Sequence, residues 1–189
     1  MLNKNTIKII EAISFAAERH RNQRRKGEGE MPYINHPIEV AKILTRCGED
    51  DLDLLIAALL HDVIEDTTKN TAEIKKLSNT IISIFGDTVL KTVLEVSDDK
   101  SLPVEKRKEL QVLQTSGLTD RAKKLKVADK ISNIKDIKDD PPENWTTERK
   151  LAYLVWAKKV VDAAKGLNQK LDQLFDQVYA EVHQYLQSS

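Results

Sequence analysis

Glycine and proline are scarce in this chain, six and five among 189 residues, about half their usual combined share of roughly 12%. So little turn chemistry excludes a fold of many short strands and points to helices. Cysteine is scarcer still. The lone Cys47 cannot form an internal disulfide, and the start MLNKNTIKIIEAI has no apolar run long enough for a signal peptide, so a reducing, cytoplasmic setting is expected. Net charge is absent: 30 Lys and Arg balance 30 Asp and Glu. That argues against a general nucleic-acid or membrane-surface binder, and any attraction for an anion must be local. Nor is there an apolar run of membrane-spanning length. The richest stretch, 52–64, is interrupted by Asp53, His61 and Asp62.

What is present is a hydrophobic set of 40%, ample for a core, and at this length a single domain over 1–189 is expected. Apolar residues recur at helical spacing along most of the chain. Pro37 and Gly48 bracket a helix over 37–47, and Asp50 or Asp51 caps a second that runs through Leu52, Leu55, Ile56, Leu59, Leu60 and Val63. Further helices are expected from Thr71 to a stop at Phe85-Gly86, then from a cap at Asp87 through Val96, and from Pro103 to about Gln114. Another runs from Asp120 to about Ile137, and the stretch 147–186 is helical with a break at Gly166. The expected fold is all-α, a bundle of about seven to nine helices.

His61 and Asp62 interrupt the most apolar of these helices, where an imidazole and a carboxylate must be paired or bind something. Helical geometry adds Glu65 on the face of His61 and Asp66 on that of Asp62. No Lys or Arg lies within the two turns of this acidic cluster, residues 57–66, so a cation is expected there. His36, before Pro37, and Asp129, within LKVADKISNI, also break apolar contexts. Taken singly, each is better explained as a cap or salt-bridge partner. Together, His36, His61, Asp62 and Asp129 make a donor set suited to a divalent first-row ion with positions left for water. Such an ion would polarise a phosphate and activate water.

Five strings stand in order along the chain: RRKGEGEMPYINHP (24–37), AALLHDVIEDT (57–67), EVSDDK (95–100), KVADKISNI (126–134) and NWTTERKLAYLVWA (144–157). In this order they resemble the HD-domain guanosine tetraphosphate hydrolases. The chain looks like a small alarmone hydrolase, similar to the hydrolase domain of RelA/SpoT proteins and laid out like the animal-type single-domain form. The resemblance covers nearly the whole chain and implies an HD-type helical bundle, with no segment left for a synthetase domain. It also implies hydrolysis of the 3′-diphosphate of guanosine 3′,5′-bis(diphosphate), as ppGpp or pppGpp, to GDP or GTP and pyrophosphate.

Carried over by position, the resemblance assigns one metal ion, manganese, to His36, His61, Asp62 and Asp129, the set already reached from chemistry. Glu65 and Asp66 match the family's acidic pair, which holds and deprotonates the attacking water. Arg25 would pack on the guanine and Lys26 would meet ribose or phosphate charge. Asn133 matches a ribose contact, Tyr153 an aromatic of the nucleotide pocket, and Lys100 a phosphate contact. Another nucleotide substrate, such as the 2′-phosphate of NADPH, is the alternative that the same ion and acids would serve. A binding module without turnover would need a damaged site, and all six metal and acid residues are present.

Other polar features have ordinary explanations. Arg19 and Arg21 read as a solvated helix end, His20 and His183 as surface or packing residues, and Cys47 as a small buried side chain. Trp145 and Trp156 read as core anchors. Charge is nevertheless segregated: residues 49–66 hold seven acids and no Lys or Arg, whereas residues 19–26 hold five basic residues and no acid. The first suits a divalent ion and the second a phosphorylated nucleotide. Without a Gly-rich phosphate cradle, phosphate handling falls to the metal and to side chains.

Overall fold

The computed structural model describes residues 3–27 and 29–188; Glu28 of the RRKGEGEMPYINHP string and the first two residues of MLNKNTIKIIEAI lie outside them. Among the described residues there is no β-strand. The helices are α1 (Lys4–Arg19), α2 (Asn35–Arg46), α3 (Leu52–Leu60), α4 (Val63–Thr67), α5 (Thr71–Phe85), α6 (Asp87–Val96), α7 (Val104–Gln114), α8 (Asp120–Asp139), α9 (Thr147–Asp162) and α10 (Gln169–Ser188), with a 3₁₀ turn at Thr115–Gly117. The expected all-α fold is observed. Counting α3 and α4 as one interrupted helix gives nine.

Side-chain caps explain most helix starts. Asp51 Oδ1 accepts from the backbone N–H groups of Asp53 and Leu54 at 3.0 and 3.2 Å, while its other oxygen takes Arg121 Nε at 2.6 Å. Thr119 and Thr146 cap α8 and α9. The expected starts shift by a residue or two elsewhere. Asn70, not Thr71, caps α5, and Asp87 is the first residue of α6 rather than its cap. α2 begins at Asn35, so Pro37 falls within its first turn, where a missing N–H costs nothing. Gly48, at φ 92°, ends that helix in a conformation that a side chain would strain.

Two helices form the centre. α3 buries Leu54, Ile56, Ala57, Ala58, Leu59 and Leu60, because it is enclosed by α1, α2, α6 and α8. α8 is enclosed by α2, α3, α6, α9 and α10. The buried apolar residues form one continuous cluster drawn from all the long helices except α7, which buries none. The chain between α1 and α2 folds back on itself through a bridge between Arg24 and Pro32, and Gly27 bridges Pro142. Gly27 is confined there: a Cβ would stand 2.0 Å from the Asp140 carboxyl group. This fold-back places Arg24, Arg25 and Lys26 on the wall of a cavity that Glu65 and Asp66 of α4 also line.

Candidate active site

The apolar run of α3 ends at Leu60, and the backbone turns at His61 and Asp62 before α4 begins. The continuous helix expected here is broken at the two polar residues. His36 comes from the first turn of α2 and Asp129 from the middle of α8. The three segments converge as the chemistry required. His36 Nε2 lies 3.1 Å from Asp129 Oδ1 and 3.7 Å from Asp62 Oδ2, and His61 Nε2 lies 3.0 Å from Asp62 Oδ2 and 3.8 Å from Asp129 Oδ1. Ligand atoms of His36, His61 and Asp129 all fall within 4.8 Å of one another.

Both imidazoles are fixed from behind. His61 Nδ1 donates to Ala58 O at 2.8 Å, and His36 Nδ1 is hydrogen-bonded with Ser132 Oγ at 3.1 Å, so each Nε2 faces the cluster. His61 Nε2 is buried and, despite its nearness to Asp62, is not oriented for a hydrogen bond. Converging lone pairs of this kind fit a metal ion better than a donor–acceptor pair. The electrostatics agree. Burial pushes His36 toward its neutral, ligating form. At His61 burial also opposes charge, but Asp62 and Asp129 outweigh it and raise the imidazole to about 9. A proton there stands in for the cation that two buried carboxylates demand. Burial alone would raise both acids, yet His61 and His36 hold Asp62 low, and Lys130 with His36 holds Asp129 low.

The acidic pair divides. Glu65 accepts from Asp98 N–H at 2.8 Å, and burial, with Asp62 and Asp98 nearby, raises its carboxyl to about 7. Asp66 instead accepts from Gln23 Nε2 at 2.6 Å and pairs with Lys100. Only Glu65 of the two lines both the small polar cavity of about 140 Å³ over the cluster and the neighbouring cavity of about 460 Å³. Tyr33 and Asn133 also border both. The larger cavity is walled by Arg24, Arg25, Lys26 and Lys100 and by Trp145 and Tyr153.

Each expected binding residue therefore reaches that cavity, with partners that the sequence did not disclose. Arg25 donates to Asp136 at 2.5 Å and to Asn133 at 2.9 Å and lies over the Tyr33 ring, 5.6 Å from its centroid. Asn133 donates to Asp129 Oδ1 at 2.6 Å. Tyr153 is packed between Trp145 and Trp156. Trp156 is the anchor expected, donating to Lys108 O at 3.0 Å, but Trp145 lines the cavity instead. Arg21 is exposed and paired with Glu18. His20 packs on Tyr33, His183 on Tyr179, and Cys47 is buried.

Several residues of the site escaped sequence reasoning. Tyr33 donates to Asp62 Oδ2 at 2.7 Å. Lys130 donates to Asp129 Oδ2 at 2.8 Å and sits over Trp156. Lys126, which lines the small polar cavity over the cluster, is pushed down to about 8 by burial and by Lys130. Arg107 approaches Glu65 and Asp98 at 3.9 and 3.6 Å. The acidic cluster thus does have cationic neighbours, from α7, α8 and the loop at Lys100. Two lysines flanking Asp129 in a stretch of buried spacing were the available signal; nothing in the charged string of α7 marks Arg107.

Residues 12–158 match the family model of the HD domain. The Drosophila melanogaster protein named guanosine-3′,5′-bis(diphosphate) 3′-pyrophosphohydrolase MESH1 is 43% identical over 176 residues, covering 92% of this chain and 94% of that one. The Homo sapiens protein of the same name is 40% identical over 181 residues, covering 95% and 97%. A solved structure, described as a metazoan ortholog of SpoT that hydrolyzes ppGpp, superimposes with a TM-score of 0.84 at 42% identity over 92% of this chain and 94% of that one. Sequence, fold and converging donors agree: the chain belongs to the HD-domain family of guanosine-3′,5′-bis(diphosphate) 3′-pyrophosphohydrolases.

Proposed function

We propose that this chain is a metal-dependent guanosine 3′,5′-bis(diphosphate) 3′-pyrophosphohydrolase that converts ppGpp or pppGpp to GDP or GTP and pyrophosphate. One observation carries the reading: a buried His–Asp cluster adjoins, through Tyr33, Glu65 and Asn133, a cavity with basic and aromatic walls. Relatives bearing this activity's name along nearly their whole length support the choice of substrate. We take residues 1–189 as one catalytic domain acting on a small nucleotide in the cytoplasm, with no nucleic-acid or membrane partner. No helix among the described residues is long and apolar enough to cross a membrane.

His36, His61, Asp62 and Asp129 would hold one divalent ion, manganese in this reading. When bound, it supplies Lewis acidity to a phosphate oxygen and lowers the pKa of water. Glu65 takes the proton of the water that attacks the phosphorus on the 3′ oxygen and can return it to the departing 3′ oxygen; burial raises its carboxyl in the metal-free protein, which favours proton uptake. Asp66, held by Gln23, fixes Lys100 against the diphosphate. Arg25 and Tyr153 face the base, Asn133 the ribose, and Lys26 the phosphate charge.

Product identification tests the reading. Metal-stripped protein given Mn²⁺ and ppGpp should release pyrophosphate and GDP in equal amounts, and a chelator should stop it. Orthophosphate from NADPH, with no pyrophosphate from ppGpp, would replace it with a 2′-phosphatase.

A further inference from the structure

Two carboxylates of the cluster are each gripped by a neutral side chain, and both grips lead to one guanidinium. Tyr33 Oη donates to Asp62 Oδ2 at 2.7 Å, the oxygen that faces both imidazoles. Asn133 Nδ2 donates to Asp129 Oδ1 at 2.6 Å, again the oxygen facing both imidazoles. Arg25 lies over the Tyr33 ring and donates through Nη2 to Asn133 Oδ1 at 2.9 Å, which orients the Asn133 amide with its NH₂ toward Asp129. Arg25 is itself locked by Asp136, through Nε at 3.1 Å and Nη2 at 2.5 Å. Asp136 and Asn133 are both on α8, the helix that carries Asp129.

We propose that Arg25 is a positioning residue of the metal centre, acting through Tyr33 and Asn133 to aim the ligand oxygens of Asp62 and Asp129. This deepens the metal-site reading above and rests on it, but not on the identity of the substrate. The two chains of contact run from a guanidinium on the nucleotide cavity's wall to two ligands on different segments, Asp62 in the turn between α3 and α4 and Asp129 on α8. Occupancy of that cavity and affinity for the ion are therefore linked, and by linkage each strengthens or weakens the other equally.

The sign of one measurement decides the matter. A guanidinium near a cation site repels the cation, so a purely Coulombic role predicts that Arg25→Gln tightens binding. Loss of orientation predicts the reverse, and removal of such supporting partners typically costs about 10–100-fold in metal affinity. Mn²⁺ is titrated into metal-stripped, nucleotide-free protein and free ion is followed by electron paramagnetic resonance, with thermal unfolding recorded for each variant. Arg25→Gln should weaken binding about tenfold. Arg25→Lys keeps the charge without the planar fork and should not rescue it. Tyr33→Phe deletes one hydroxyl from a packed ring and should weaken binding severalfold, less than additively with Arg25→Gln. Unchanged or tighter binding in Arg25→Gln, or full rescue by Arg25→Lys, would overturn the proposal. A parent protein that binds no Mn²⁺ would overturn the metal site as well, whereas inactivity toward ppGpp in a protein that binds the ion would overturn only the substrate.

Discussion

The helices α8 and α10 have the same length, 20 residues each, and pack against one another, yet they are built on opposite principles. α10 buries Leu171, Phe175, Val178, Val182 and Leu186, a single apolar stripe at three-and-four spacing. α8 is enclosed on nearly every side and buries Lys126, Lys130 and Ser132 among its apolar residues, with Asp129 only slightly exposed. A helix selected for stability alone would place hydrocarbon at those positions, since burying ionised groups costs more than packing apolar ones. The difference separates scaffold from site: α10 closes the core, and α8 carries charge into it.

The largest expected break in that comparison is Asp129→Asn on α8. The side chain keeps its size and loses its negative charge, so the cluster loses a ligand and Lys130 its partner. Metal affinity and kcat/KM should fall about a thousandfold or more, several kcal/mol of lost charge stabilisation. Titration with Mn²⁺ and steady-state kinetics check this, and retention of both would remove Asp129 from the metal set.

Next in size is Glu65→Gln. Glu65 is not one of the four proposed ligands, so metal binding should persist while kcat falls by about 10²–10⁴, the usual worth of a general base. The carboxyl works only when ionised, so activity of the parent should rise with pH along an acid limb. Burial raises the metal-free carboxyl to about 7, and the bound cation should place the limb lower than that. The Glu65→Gln variant should lose the limb; a pH–rate profile identical to the parent's would refute the role.

How much of this was legible in the sequence follows the same division. The stripe of α10 and the apolar run of α3 could be read because burial of one helix face is a local, periodic property. The polar residues of the cluster could be read as interruptions of such runs, since His61, Asp62 and Asp129 stand where hydrocarbon belongs. The break between α3 and α4 could not, because an unbroken helical spacing continues across the turn at His61 and Asp62. The contacts of Tyr33 and Arg25 were opaque for another reason. Their partners Asp62, Asn133 and Asp136 lie 29, 108 and 111 residues away, and a phenol or guanidinium in a loop does not announce which distant carboxylate it will meet. The Arg107 contacts with Glu65 and Asp98 belong to the same class.

On α10, Val182→Ala removes two methyl groups from a fully enclosed position. Stability should drop by about 2–3 kcal/mol through lost burial and the cavity left behind, with kcat per folded molecule unchanged. Denaturant unfolding and kinetics at low temperature measure both. A change in kcat without a change in stability would show that α10 reaches the site and would dissolve the distinction between the helices.

The smallest expected effect has the opposite sign. Lys126, 6% exposed, makes one hydrogen bond, to Val96 O at 3.3 Å, and burial with Lys130 brings it from an ordinary 10.5 to about 8. The unfolded chain keeps this proton up to about 10.5 whereas the folded chain releases it near 8. Between those values the unfolded state binds more protons, so stability of the metal-stripped protein should rise with pH across about 8–10.5. Below that window the buried charge is a cost. Lys126→Met, similar in length and free of charge, should therefore stabilise the fold by about 1–2 kcal/mol at pH 7, less than the shift alone implies because attraction to Asp129, Asp98 and Glu65 is lost with it. The variant should also flatten the rise above pH 8. A less stable Lys126→Met protein would mean that the lysine belongs to the scaffold after all. A more stable one with lower turnover would place it with Asp129, among the charges that α8 holds at the expense of stability.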